Sequence, residues 1–151
     1  MIYWFTGQPG SGKTIQANKL KEFLQTEKRN WRKDVFHIDG DDLRELTLNK
    51  DYSEAGRRKN IELAQQIAQY LNNKNEDVLV SLVSPYKDQR EKFKEKMGNN
   101  LVESYIHTSQ IRGKEHFFVD EYEKPTEIFV DISTDKLTPE ECAKTILSYE
   151  F

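Results

Sequence analysis

Apolar residues along this chain follow two rhythms: short unbroken runs, and longer stretches in which they return every third or fourth position. The run Ile2 to Thr6 predicts a first strand. From Lys13 onward Ala17, Leu20, Phe23 and Leu24 recur at helical spacing and predict a helix. Asp34 to Ile38, "DVFHI", reads as a second strand that ends at Asp39-Gly40. Ser53 is placed to cap a long helix whose buried stripe is Ile61, Ala64, Ile67, Ala68 and Leu71.

Residues 77–84, "DVLVSLVS", are nearly all apolar, as a strand covered on both faces requires. Lys87 to Met97 predicts a charged helix, Leu101 to Ile106 a fourth strand and Glu127 to Ile132 a fifth. Residues 107–125 between them are polar and aromatic without a period, and are expected to form a lid or acceptor loop. In the last helix Thr138 can cap, Pro139 suits the first turn, and Glu141 stands three residues on, as a capping box needs. Strands alternating with helices imply βαβ units. The expected class is α/β: a doubly wound, mainly parallel five-stranded sheet with helices on both faces, in one domain over residues 1–151.

Composition narrows the function classes. The 151 residues carry a net charge of −3, which argues against bulk attraction to nucleic acid or an anionic membrane. Cys142 is the one cysteine, so an intrachain disulfide and a cysteine zinc cluster are excluded, and a reducing, cytoplasmic compartment is expected. No apolar run reaches the ~18–20 residues of a membrane-spanning helix. The start "MIYWFTG" has no basic region, so no cleaved signal is expected.

The first chemistry lies directly after the first strand. Gly7-Gln8-Pro9-Gly10-Ser11-Gly12-Lys13-Thr14 matches the phosphate-binding pattern G-x-x-x-x-G-K-[ST], with a strand before it and a helix after it. Glycines let backbone N–H groups turn inward around an anion, and the helix start adds the positive end of its dipole. Lys13 can reach the outer phosphates of a nucleoside triphosphate, and the Thr14 hydroxyl can ligate Mg²⁺.

The remaining motifs separate a switch, a motor and a kinase. "NKD" at 49–51 lacks the spacing of a guanine-reading Asn-Lys-x-Asp, and "VLVSLVS" ends without the carboxylate common in ATPases. The acidic group therefore comes from "HIDGDDLR", residues 37–44, where Asp39 closes the second strand on the ligand edge of such a sheet. Asp39 or Asp41 can accept a hydroxyl proton or orient Mg²⁺ through water, and Asp42 reads equally as a helix cap. Arg44 lies one helical turn from Asp41. In "EAGRRKNI" Arg57 and Asn60 share a helix face and can hold an anionic, hydroxyl-bearing acceptor.

Taken in order, these segments resemble the adenylylsulfate kinase (APS kinase) family. "WFTGQPGSGKT" is similar to its opening strand and phosphate loop, and "IDGDDLR" to its Leu-Asp-Gly-Asp-Asn-Val-Arg. "YSEAGRRKNI" resembles Phe-Ser-x-x-Asp-Arg-x-x-Asn-Ile, and "VSLVSPYKDQR" resembles Phe-Ile-Ser-Pro-x-Arg-x-x-Arg. The resemblance, over about residues 2–107, implies transfer of the γ-phosphate of ATP, with Mg²⁺, to the ribose 3′-hydroxyl of adenosine 5′-phosphosulfate. It implies base and metal-linked roles for Asp39 and Asp41. It also implies acceptor contacts for Asp41, Arg44, Arg57, Asn60 and Ser84, with Arg90 as the second arginine of its motif.

Three departures stand out. Gly56 replaces the family's Asp before Arg57, Tyr52 replaces its Phe, and residues 107–125 are shorter than its lid and lack the Leu-Tyr-Lys-Lys run. Here Arg112, toward ATP, and Lys114 can stand in for lid cations, and Phe117 or Phe118 can stack on an acceptor base. The shortened lid keeps a second acceptor class open: a modified nucleoside, or a hydroxymethylated base in DNA, the one reading that involves nucleic acid. A non-catalytic nucleotide-binding module is the third reading. No membrane partner is expected, and the pattern leaves room for a homodimer.

Overall fold

A computed structural model of the chain describes residues 1–26 and 34–149. Five strands form one sheet in the order β2-β3-β1-β4-β5, where β1 is Ile2–Thr6, β2 Val35–Asp39, β3 Asp77–Ser81, β4 Leu101–His107 and β5 Val130–Ser133. Every adjacent pair is parallel, as crossover helices require. Those helices are α1 (Lys13–Thr26), α2 (Gly40–Thr47), α3 (Glu54–Asn73), α4 (Lys87–Met97) and α5 (Pro139–Ser148).

The central strand shows why the fold has two cores. All five residues of β1 are buried, and alternate side chains point to opposite faces. Ile2 and Trp4 pack with Ile61, Ala64 and Ala68 of α3 and Phe93 of α4, with the Trp4 and Phe93 rings edge to face at 5.5 Å. Tyr3 and Phe5 pack with Ala17 and Leu20 of α1 and with Cys142, Ala143 and Ile146 of α5. Fully burying each such large side chain contributes about 1.5–3 kcal/mol relative to exposure, so the apolar run of β1 holds both helix layers onto the sheet. The Thr138 capping box on α5 forms as the sequence predicts, with Glu141 N–H donating to Thr138 Oγ1 and Thr138 N–H donating to Glu141 Oε2.

Two strand limits differ from the sequence reading by three residues, the others by one at most. β3 ends at Ser81 rather than Ser84: the Val83 and Ser84 carbonyls turn to the Thr6 hydroxyl, which donates to Val83 O at 2.7 Å, and Ser84 adopts φ +48°. β5 begins at Val130 rather than Glu127, since the carbonyls of Glu127 and Ile128 turn to the Lys94 ammonium and Ile128 takes φ +48°. Apolar character marks burial; it does not mark where ladder pairing stops.

β1 has neighbours on both sides whose connections run in opposite directions. The C-terminal edge beside it is therefore the crevice where such sheets bind ligands. Among the described residues no helix is long and apolar enough to cross a membrane.

Candidate active site

The phosphate loop leaves β1 at that edge. A Cβ on Gly7 would lie 2.2 Å from Ile106 O, so only glycine lets the loop pass this close to β4. Gly10 and Gly12 take φ +80° and +100°, which turn the loop around a central space. Ser11 is buried there, and its Oγ meets no hydrogen-bond partner among the described residues. Lys13 Nζ donates to Gly7 O and Gln8 O, each at 2.9 Å. Burial lowers the Lys13 pKa to about 8, against the opposing pull of Asp39 and Asp41.

Asp39 is where three elements meet. It closes β2 and caps α2, its Oδ1 accepting the Asp41 N–H at 3.0 Å. Its Oδ2 accepts Thr14 Oγ1 at 3.1 Å and Ser81 Oγ at 3.0 Å. His37 Nε2 lies 2.7 Å from Ser81 Oγ. Because the one hydroxyl proton of Ser81 goes to Asp39, His37 donates to Ser81, which fixes its Nε2–H tautomer. Burial lowers the His37 pKa, opposed by the Asp39 charge. Asp41 is exposed on the first turn of α2, near enough to Lys13 to act on its charge.

Asn60 and Ser84 come from the next elements of the chain. Asn60 is buried on α3 and its Nδ2 donates to Gly40 O, the residue after Asp39. Ser84 is held by its carbonyl, which accepts from Thr6 Oγ1 and from Arg90 Nη1. Asn60 Oδ1 and Ser84 Oγ are buried and meet no hydrogen-bond partner among the described residues. Arg57 lies one turn before Asn60, and its Nη1 forms a 2.9 Å ion pair with Glu121 Oε1.

Arg44 is tied into the neighbouring loop, and Phe117 is exposed. The Arg44 guanidinium donates to Asn49 O, Asn49 Oδ1 and Asp51 O and sits 4.1 Å over the Tyr52 ring, so it organises the loop between α2 and α3. Phe117, in a short 3₁₀ turn, is 62% exposed. That loop also explains Gly56: a Cβ there would lie 2.2 Å from Asp51 O.

The segment after β4 returns across the phosphate loop. Arg112 donates to Gly10 O at 3.4 Å and Thr134 Oγ1 at 3.1 Å. The Gln8 side chain donates to Val119 O and accepts from Val119 N, both at 2.9 Å. Tyr122 Oη meets Thr6 Oγ1 at 2.9 Å, and Glu123 N donates to Pro85 O.

Arg90 underlies this arrangement, and sequence spacing could not place it there. Its Nε pairs with Glu103 Oε1 at 2.9 Å, both side chains 2% exposed, while its other nitrogens donate to Ser84 O and Glu123 O. Ser81, His37, Glu103 and Glu121 are the site residues that sequence reasoning missed. Taking β3 to run on to Ser84 hid Ser81, whose register partner on β2 is Asp39.

The parallel sheet, its central strand and the glycine loop define a P-loop nucleotide-binding fold. The family model for adenylylsulphate kinase matches residues 1–128, and the chain belongs to that family. The adenylyl-sulfate kinase of Buchnera aphidicola subsp. Acyrthosiphon pisum is 34% identical over 110 residues, covering 72% of this chain and 52% of the relative. The chain thus spans about half the length of that relative. The adenylyl-sulfate kinase of Burkholderia ambifaria is 28% identical over 167 residues, covering 97% of this chain and 90% of the relative. The solved Mycobacterium tuberculosis APS kinase CysC in complex with AMPPNP and APS shares the fold: TM-score 0.80, 24% identity, 98% of this chain and 95% of that one.

Proposed function

We propose that this chain transfers the γ-phosphate of ATP to the 3′-hydroxyl of adenosine 5′-phosphosulfate. Family membership supports the reaction, and one observation carries it for this chain. The phosphate loop is joined through Thr14 and Asp39 to the strand end beside which Asn60 and Ser84 hold buried, unpartnered polar atoms. The loop is the donor side and these atoms, with Arg57, are the acceptor side.

Loop N–H groups and Lys13 bind the donor phosphates, with Arg112 at the loop's outer side. Thr14 Oγ1 and the Asp39 carboxylate are a hard-oxygen pair suited to Mg²⁺, directly or through water. Bound Mg²⁺ would neutralise charge on the β- and γ-phosphates. Asp39 already accepts from Thr14, Ser81 and the Asp41 N–H, so its charge is committed to orienting that pair. Asp41, exposed and close to Lys13, takes the proton of the attacking hydroxyl. Arg57 and Asn60 fix the acceptor, since phosphoryl transfer depends mainly on positioning and charge.

The test is transfer of label from γ-labelled ATP to adenosine 5′-phosphosulfate, run beside modified nucleosides and DNA. Product with the sulfated nucleotide is expected. Product only with another acceptor would overturn the assignment.

A further inference from the structure

Glu121 occupies the group that should hold an acceptor's anion. Its Oε1 lies 2.9 Å from Arg57 Nη1, with the Arg57 side chain 24% and the Glu121 side chain 51% exposed. The neighbouring Arg58 is already held by Glu54 and Asp88, so of the two adjacent guanidinium groups Arg57 is the one that meets Glu121.

An ordinary exposed ion pair stabilises little, because two long side chains must be ordered to make it. Here the backbone that carries Glu121 is already fixed on both sides. Two residues before it, Val119 is bound twice by the Gln8 amide. One residue after it, Tyr122 meets Thr6, and Glu123 is tied to Pro85 by its N–H and to Arg90 by its carbonyl. Five contacts from four other parts of the site therefore present this carboxylate to Arg57.

We propose that Glu121 is a specificity-determining residue, a built-in anion on Arg57 that an acceptor must displace. This rests on the acceptor assignment of Arg57 above. A neutral hydroxyl compound gains nothing by breaking the pair, whereas a nucleotide bearing a phosphate or phosphosulfate replaces one anion by another. Discrimination then comes from the contact that the wrong acceptor leaves in place.

The experiment is calorimetric binding of adenosine 5′-phosphosulfate and of AMP to the wild type, E121Q, R57Q and the double variant, with labelled transfer on the same proteins. E121Q should bind both nucleotides about two- to fivefold more tightly, the range of an exposed ion pair. The gain should vanish in the R57Q background and shrink as salt rises. Unchanged or weaker binding in E121Q, an equal gain without Arg57, or no binding to any variant would overturn the proposal. Coupling seen with AMP, but no transfer to the sulfated nucleotide, would leave Glu121 in its role and reject the proposed reaction. Transfer without the coupling would do the reverse.

Discussion

Ser81 Oγ donates to Asp39 Oδ2 at 3.0 Å, joining the last residues of two neighbouring strands. The C-terminal end of β3 thus supports, through a hydroxyl, the carboxylate proposed to orient Mg²⁺, with no carboxylate at that end. Ser81→Ala removes one donor from Asp39 and leaves His37 without its partner. Loss of such a supporting group should raise the Mg²⁺ concentration for half-maximal transfer about 10-fold or more. Asp41→Asn should instead lower kcat by about 10²–10⁴ with little change in Mg²⁺ demand, as loss of a proton acceptor does. Titrating Mg²⁺ for both variants separates the two roles.

Arg90 and Glu103 form a buried ion pair that also carries the carbonyls of Ser84 and Glu123. Glu103→Gln leaves a buried guanidinium without its counter-charge, which should cost about 3–5 kcal/mol in urea unfolding. A loss below about 1 kcal/mol, the range of exposed pairs, would contradict the buried geometry.

Gly56 fits against the loop that Arg44 organises. Gly56→Ala places a Cβ 2.2 Å from Asp51 O, backbone that cannot yield without moving the loop. About 1–3 kcal/mol of destabilisation is expected, as for overpacking in a filled site. An unchanged thermal midpoint would show that the loop moves freely.

Cys142 is buried on α5, and that burial pushes its thiol up to about 11, with the charge of Glu141 adding to it. The native thiol should resist a disulfide reagent at pH 8 and react only on unfolding, because the thiolate is the reactive form. The raised value also sets a sign. The unfolded chain loses this proton first, so the thiol's contribution to stability is complete below about pH 9 and is lost as pH rises toward 11. Rapid labelling of the folded protein at pH 8 would rule out the buried placement.

The shortened segment after β4 shows how far the sequence could be read. Its lack of the family's Leu-Tyr-Lys-Lys run was legible, as were Arg112 and Lys114 as candidate lid cations. Arg112 does reach Gly10 O, but Phe117 lies exposed, and the contacts that hold this segment come from Gln8, Thr6, Pro85 and Arg90. None of those pairings has a period or a spacing to announce it.

The sequence alone determined the α/β class, the phosphate loop, the capped last helix and the family, because these rest on local rules. Alternation of apolar runs sets strands and helices, glycines at fixed offsets set the loop, and Thr138 with Glu141 sets a cap. Only the tertiary structure decided which groups meet. Thr14 and Ser81 reach Asp39 across 25 and 42 residues of chain, and Glu121 reaches Arg57 across 64. The Ser81 contact follows from strand order and register, and the other two from helices and a loop packed onto the same sheet.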